Sequence, residues 1–251
     1  MATAVAHTLW QAHLRVWMTE IPLPLAVRRE VSFCEAIFEG QKQVEGVVAR
    51  HVQVTDQFGP TWNEGMIPLL IDPHAKSREA VKPHVLVDAI VAKKNLGTKI
   101  TDAPLVIALG PGFATGRDVH VVIETQRGHD LARLIVDGEA EPNTGIPGEI
   151  SGYSEQRVLR VPAEGIFTVH KRIGEPVREG EVVATVGGLP VKARISGVLR
   201  GLLRDGTHVK ERMKAGDIDP RGKEAYCHSI SDKARAIAGS VLKAILMHFN
   251  V

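Results

Sequence analysis

Short apolar runs, separated by short polar stretches, dominate the first 150 residues and predict a series of buried strands. The runs lie at Leu14–Ile21, Gln43–Val54, Met66–Asp72, His84–Ala92, Leu105–Leu109, Val119–Glu124 and Arg133–Val136. Continuous apolar runs of this length are typical of strands that are covered on both faces of a parallel sheet. Predicted helices lie between or before them at Ala2–Gln11, Leu25–Phe38 and Lys76–Val81. This alternation predicts an α/β domain with a doubly wound, Rossmann-like sheet.

The pattern changes near Glu141–Gly152, a stretch rich in Gly, Pro, Asn and Ser that predicts a domain boundary or a functional loop. We therefore expect a Rossmann-like domain over residues 1–152 whose second part is β-rich. A second domain is expected over 153–222, and a C-terminal helix over 223–251 that packs back on the first domain.

Residues Val158–Pro220 contain an internal repeat. Four pairs of residues recur 32 positions apart, namely Gly165 and Gly197, Gly174 and Gly206, Val177 and Val209, and Glu179 and Glu211. Half-units this small cannot bury their own apolar faces, so two copies are expected to interlock. The segment resembles the duplicated β barrel of lipoyl and biotinyl carrier domains, which predicts a lipoyl/biotinyl-like barrel here.

The lysine that carries the prosthetic group in such barrels has no counterpart. The tip of the corresponding hairpin holds Val186, followed by Gly187 and Gly188, and Lys192 comes several residues too late. We therefore expect no covalent lipoate or biotin, and a barrel that serves in docking or as a structural module.

Composition narrows the class of protein. The 251 residues are 44% hydrophobic and 24% charged, with a net charge of +2, which is ordinary for a globular protein and too balanced to favour nucleic-acid binding. No apolar run reaches the length of about 18 residues that a membrane span needs. Cys34 and Cys227 are far apart in sequence, as in proteins of a reducing compartment, and no signal peptide is recognised, so a cytoplasmic location is expected.

The stretch from Gly110 onwards is the strongest candidate for ligand binding, because a Gly-rich turn after an apolar strand lets backbone N–H groups approach an anion closely. Its candidate cofactor-binding residues are Gly110, Gly112, Thr115 and Asp118, and Arg127 follows after the next strand. The alternative is a tight turn that only reverses the chain.

Three other places supply candidate contacts. Lys93 and Asn95 lie in a loop after an apolar strand, and this loop is expected either to bind phosphate or to be only a solvated loop. Asn143 lies in the Gly- and Pro-rich stretch. Glu20 ends the first predicted strand, where an acidic residue commonly accepts a ribose hydroxyl. The strand and Gly-rich loop that precede such a residue in a Rossmann unit are expected before Met1 and are absent from this sequence.

No catalytic residue is predicted, because the sequence contains neither a nucleophile elbow nor a P-loop. Asp118, His120 and His129 are alternatives as metal ligands or as hydrogen-bonded side chains, and we predict no metal site. Cys34 follows two arginines, and arginines close to a thiol lower its pKa and make it reactive. The alternative is that Cys34 is a buried structural thiol.

Several unusual strings together resemble the YqeB family, accessory proteins of the selenium-dependent molybdenum hydroxylase system. They are Met18–Pro22, Pro24–Arg29, Val31–Ala36, Ala92–Thr98, Gly110–Phe113, Glu141–Gly148 and Ser231–Ile237. Members of this family begin with a strand and a Gly-Gly-Gly-Asp-Leu-type loop, whereas this chain starts at the equivalent of the residues after that loop.

The resemblance implies an accessory or maturation factor that binds an anionic nucleotide or a molybdopterin derivative. Its partners would be a molybdenum hydroxylase or the proteins that mature one, and an open sheet edge beside Val16 is compatible with a homodimer. Two alternatives stay open. One is an enzyme acting on a small phosphate- or sulfur/selenium-containing substrate, and the other is a partner-docking protein without catalysis.

Overall fold

The computed structural model describes residues 1–250, which divide into two compact units that interleave along the chain. The first unit comprises residues 1–20, 47–145 and 230–250, and the second comprises residues 21–46 and 146–229. The predicted domain boundary at residue 152 stays a prediction, because it concerns domains that fold independently of each other. Val251, the last residue of the predicted segment 223–251, lies outside the described residues.

Five α-helices and sixteen strands make up most of the regular structure of residues 1–250. The helices are α1 Ala2–Gln11, α2 Ala36–Glu39, α3 Phe58–Asn63, α4 Ser77–Val81 and α5 Asp232–Phe249 within the described residues. The strands are β1 Met18–Glu20, β2 Gln41–Val44, β3 Val47–Val52, β4 Ile67–Ile71, β5 Val85–Asp88, β6 Leu105–Leu109, β7 Val121–Ile123, β8 Leu134–Ile135, β9 Val158–Arg160, β10 Gly165–Val169, β11 Pro176–Val177, β12 Val182–Val186, β13 Leu189–Lys192, β14 Gly197–Leu202, β15 His208–Val209 and β16 Lys214–Asp219.

The first unit contains parallel strands, as the continuous apolar runs predict. Strand β4 pairs in parallel with β1 and with β3, and β6 pairs in parallel with β5 and with β7. All five residues of β6 are buried, which explains why its sequence is apolar throughout. Strand β8 adds to β7 in the antiparallel direction.

Helices α1 and α5 pack against each other in this unit. Helix α1 buries Val5 and Leu9 among small residues, and α5 buries Ile237, Val241 and Ile245 along one face. The hydroxyl of Ser231 accepts a hydrogen bond from the Ala234 N–H at 3.3 Å and thereby caps α5.

The second unit consists of two antiparallel sheets, in the strand orders β13–β12–β10–β15 and β11–β14–β16–β9. The repeat of 32 residues appears in the strands themselves, since β10 and β14 begin at Gly165 and Gly197. Gly165 pairs with Val209 and Gly197 pairs with Val177, so each half gives its two-residue strand to the sheet of the other half. This exchange joins the halves around a shared apolar core that includes Phe167.

The predicted fold class, a Rossmann-like part followed by a lipoyl/biotinyl-like barrel, is wrong. The structure has four small sheets, and the parallel strands of the first unit belong to two of them instead of one doubly wound sheet. In the second unit, hydrogen bonding stops at β13 and β15 in one sheet and at β11 and β9 in the other, so no barrel closes. Apolar runs identify buried strands, but they do not specify which strands become neighbours.

The predicted helix over Leu25–Phe38 is also wrong. Single 3₁₀ turns occupy Arg29–Val31 and Phe33–Glu35, and only α2 follows. The carbonyl of Val27 accepts a hydrogen bond from the Leu202 N–H at 2.8 Å, and Arg29 Nε donates to the Leu202 carbonyl at 2.9 Å. Hydrogen bonds to the end of β14 thus replace helical ones.

The chain holds no helix, within residues 1–250, that is both long enough and apolar enough to cross a membrane.

His120 lies at the amino end of β7, where protonation opposes the folded arrangement. Its Nδ1 accepts a hydrogen bond from the Val106 N–H at 3.0 Å, and its ring centroid lies 6.4 Å from that of His248 in α5. Partial burial, followed by repulsion from His248, lowers the pKa of His120 below its usual value near 6.5.

We expect the free energy of unfolding to fall as the pH drops below about 6.5, the unfolded-state pKa of histidine. The contribution of His120 is present above that pH and is lost as the pH falls through the lower folded-state pKa. His120→Asn keeps an acceptor for Val106 and should flatten the dependence measured by urea unfolding between about pH 7 and 5. His129→Asn, at an exposed histidine, is the control. Equal slopes in wild type and His120→Asn would contradict this assignment.

Candidate anion-binding site

The loops that follow β5, β6 and β7 start from one edge of a sheet, because the three strands are parallel. Ligands of open parallel sheets commonly bind at this carboxyl edge. The first loop follows Asp88, the last residue of β5, and the other two begin at Gly110 and Glu124. The first two loops carry most of the residues predicted to bind a cofactor.

The loop after β5 is held in shape by two polar side chains. Buried Asp88 accepts hydrogen bonds from the Thr98 hydroxyl at 2.7 Å and from the Ile90 N–H at 3.1 Å. Asn95 Oδ1 accepts from the N–H groups of Gly97 and Thr98, both at 2.8 Å, and Asn95 Nδ2 donates to the Thr98 carbonyl at 2.9 Å. Asn95 therefore acts on the loop itself, and Lys93 and Lys94 precede this closure with exposed side chains.

The loop after β6 lies against the loop after β5 in a way that only glycine allows. A Cβ on Gly112 would stand 2.5 Å from Lys94 Cα and 2.6 Å from Lys94 N. A Cβ on Gly110 would stand 2.5 Å from Thr125 Oγ1. Both glycines also have positive φ values, +80° at Gly110 and +106° at Gly112, which L side chains rarely adopt.

Four backbone N–H groups at this contact have no hydrogen-bond acceptor among residues 1–250. They belong to Lys93, Lys94, Gly112 and Phe113. Nearly all backbone donors in folded proteins are paired with protein or water, and clustered donors form concave sites that bind anions. The predicted Gly-rich turn thus offers unpaired donors together with those of the neighbouring loop.

The cationic side chains around the contact include two that form no ion pair and two that are paired with aspartates. Lys93 and Lys94 form no ion pair among the described residues. Arg127 instead pairs with Asp232 through two contacts of 2.7 and 2.9 Å, and Arg117 pairs with Asp118 at 2.9 Å. The two lysines therefore supply the cationic charge available to a ligand at this edge.

Asp118 stabilises the loop from inside. Its Oδ2 accepts a hydrogen bond from the Ala114 N–H at 2.8 Å. The hydrogen bond from Arg117, followed by that from Ala114, lowers the pKa of Asp118 below its usual value, so this carboxyl group remains ionised.

The other predicted residues lie elsewhere. The Thr115 hydroxyl donates to the Gly138 carbonyl at 3.1 Å. Glu20 ends β1, in the other sheet of the first unit, and Asn143 is exposed in a stretch without regular structure. The structure therefore assembles Lys93, Asn95, Gly110, Gly112 and Asp118, and does not place Glu20 in the same sheet.

Two carboxylates at the strand ends were not assigned a role from the sequence. Asp88 shapes its loop, and buried Glu124 accepts hydrogen bonds from the N–H groups of Gln126 at 2.6 Å and Glu141 at 2.8 Å. A single polar residue at the end of an apolar strand was the signal for both. A cavity of about 360 Å³ beside Glu124 is lined mainly by carboxylates, so it disfavours anions, in contrast to the lysine-bearing loops.

Two residues with open alternatives, Cys34 as a reactive thiol and His120 as a metal ligand, make ordinary contacts. Cys34 is buried with its Sγ 3.0 Å from Ser32 Oγ, and His120 accepts the Val106 N–H as described above. Within residues 1–250, no group of three or more His, Cys, Asp or Glu side chains is arranged to hold a metal ion.

No family model matches the chain. The chain is similar to the uncharacterized protein YqeB of Escherichia coli K12, with 46% identity over 247 residues, which cover 98% of this chain and 46% of that protein. This similarity supports the predicted relationship to the YqeB family. The chain spans about half the length of this curated relative.

Three solved structures share limited similarity with the chain. An aspartoacylase family protein of Mesorhizobium loti is 18% identical over 34% of this chain and 32% of its own, with a TM-score of 0.24. A succinylglutamate desuccinylase of Silicibacter sp. TM1040 is 16% identical over 68% and 51%, with a TM-score of 0.24. The ectoine utilization protein EutE of Ruegeria pomeroyi is 11% identical over 81% and 84%, with a TM-score of 0.25.

Gly112→Ala is expected to destabilise the first unit, because the added Cβ meets backbone atoms that cannot rotate away. Overpacking of this kind costs about 1–3 kcal/mol. Gly116→Ala is the matched control, since Gly116 also has a positive φ, +74°, but its Cβ would meet nothing within 4 Å. Urea unfolding of both variants measures the difference. Equal losses would show that the close contact with Lys94 is unimportant.

Proposed function

We propose that this chain is an accessory factor for the maturation of a selenium-dependent molybdenum hydroxylase. In this proposal it binds the phosphate groups of an anionic nucleotide or molybdopterin-type cofactor at the carboxyl edge of β5, β6 and β7. The observation that carries the binding site is the set of four unpaired N–H groups at the contact between Gly112 and Lys94.

Phosphate suits this site for two reasons. Its oxygens accept several hydrogen bonds at once, as clustered backbone donors require. Lys93 and Lys94, exposed and outside any ion pair, add point charges of the kind that bind phosphate in many sites.

The biological role is inferred from the resemblance to the YqeB family alone. The 46% identity to the uncharacterized protein YqeB supports that relationship and says nothing of the role. Maturation proteins must hold a cofactor and then release it to an enzyme. An open loop site made of backbone donors and flexible lysines suits reversible binding, whereas a closed site would slow release.

The double variant Lys93→Gln/Lys94→Gln should weaken pyrophosphate binding roughly tenfold or more, because two cations that form no ion pair are lost. A tenfold change in affinity corresponds to about 1.4 kcal/mol of binding free energy. Pyrophosphate is the probe because it carries the phosphate chemistry shared by both cofactor classes. The measurement is a titration monitored at the backbone amide NMR signals of residues 93, 94, 112 and 113, which reports on this site alone.

Lys192→Gln/Lys210→Gln is the control, because it removes two exposed lysines from the second unit and changes the net charge equally. This variant should bind like wild type. If the four amide signals do not respond to pyrophosphate, or respond equally in both double variants, the proposed site is wrong.

Native mass spectrometry of the purified chain addresses the class of cofactor. We expect a bound nucleotide or pterin mass in wild type and its loss in Lys93→Gln/Lys94→Gln. A wild-type chain that carries neither, and that gains neither after incubation with nucleotides, would contradict the cofactor-binding proposal.

A further inference from the structure

The loop after β5, residues 89–99, exposes two large apolar side chains. Ile90 is 64% exposed and Leu96 is 56% exposed, and they flank Lys93 and Lys94 in the sequence. Single exposed apolar residues are common on protein surfaces and need no explanation. Two of them on one short loop, on either side of the lysines of the proposed anion site, do need one if the structure holds them in place.

Hydrogen bonds fix this loop at both ends, close to the two apolar residues. One carboxylate, that of buried Asp88, accepts from the Ile90 N–H at 3.1 Å and from the Thr98 hydroxyl at 2.7 Å. Leu96 lies inside the turn that the Asn95 side chain closes. The two exposed apolar side chains therefore belong to a closed loop whose ends meet at the same carboxylate.

The backbone between these fixed ends adopts a conformation that its residues disfavour. Val91 and Lys93 have φ values of +57° and +64°, in the left-handed region. A β-branched residue is a genuine outlier there, because its Cβ approaches the following carbonyl oxygen. Such conformations persist where the surrounding structure holds them, and they concentrate at ligand sites. The loop thus keeps Ile90 and Leu96 at the surface, although neither packing nor backbone preference favours that arrangement.

The two apolar residues lie within reach of a ligand bound at the unpaired N–H groups. Leu96 is two residues after Lys94, so their Cα atoms are at most about 7 Å apart. Ile90 is three residues before Lys93, which limits their Cα separation to about 11 Å. A phosphate held by the N–H groups of Lys93 and Lys94 is therefore close enough for the group attached to it to contact these side chains.

We infer that Ile90 and Leu96 contact the ring of the ligand, so that this site takes a phosphate ester of a planar heterocycle in preference to an inorganic phosphate chain. The faces of such a ring are largely apolar, and covering exposed apolar surface is favourable. The two side chains carry no hydrogen-bonding group, so they select for the presence of a ring and discriminate weakly between bases. The inference rests on the proposed function, because it concerns the same site.

The test compares ATP and GTP with tripolyphosphate, which has the same chain of phosphates and no ring. Each is titrated into the full chain at constant ionic strength without divalent cations, and the backbone amide NMR signals of residues 93, 94, 112 and 113 are followed. We expect both nucleotides to bind about tenfold more tightly than tripolyphosphate, because the ring covers apolar surface. The two nucleotides should differ little from each other.

Ile90→Ser/Leu96→Ser should remove this preference. Its affinity for the nucleotides should fall to that for tripolyphosphate, and its affinity for tripolyphosphate should equal that of wild type. Leu96→Trp should instead raise nucleotide affinity several-fold, since an indole ring stacks on a base. Val54→Ser/Val136→Ser is the matched control, because it removes two apolar side chains of the first unit that are 54% and 67% exposed. This control should bind all three ligands like wild type.

Three outcomes overturn the inference while leaving the anion site in place. They are equal affinity of wild type for nucleotides and tripolyphosphate, equal weakening of all three ligands in Ile90→Ser/Leu96→Ser, and equal loss of nucleotide affinity in that variant and the control. A different result separates the proposed function from this inference. If none of the three ligands shifts the four amide signals, the proposed site is wrong and the inference falls with it.

Discussion

The close approach of Gly112 to the backbone of Lys94 determines what the carboxyl edge of β5, β6 and β7 can bind. Any side chain at position 112 would occupy space taken by Lys94 Cα and N. With glycine there, two loops from neighbouring strands meet, and the N–H groups of both remain unpaired. Since unpaired backbone donors are unfavourable unless water or a ligand satisfies them, this one contact links backbone geometry to ligand binding.

Charge pairing then separates residues that stabilise the fold from those available to a ligand. Arg117 and Arg127 lie near the Gly-rich loop, but each is bound to an aspartate. Lys93 and Lys94 are not. A cation is informative about function when its charge remains uncompensated, whereas a sequence shows only that the cation is present.

The sequence was a good guide to local structure and a poor guide to long-range arrangement. Residues Ala2–Gln11 and Leu105–Leu109 form the predicted helix and strand, since their patterns depend on neighbours in sequence. The turn at Gly110–Asp118 was recognisable because glycines that follow an apolar strand favour turns with positive φ. The prediction of a helix over Leu25–Phe38 was wrong because this segment forms hydrogen bonds with Leu202, which is distant in sequence. The sheet arrangement and the pairing of Arg127 with Asp232 could not be predicted for the same reason, because both depend on partners that are distant in sequence.

The repeat in the second unit explains why the buried ion pairs of Arg200 with Asp217 and Asp219 escaped recognition. Repeated glycines and valines mark what the two halves share, which is the exchange of the short strands around a common core. Arg200, Asp217 and Asp219 are what one half has and the other lacks. A comparison that looks for repeated residues therefore does not detect them. Residues that differ between the two copies are not required by the strand arrangement that both copies share. The ion pairs are an addition to the shared scaffold, since the first half pairs Thr168 with Thr185 at the corresponding strands without charged side chains.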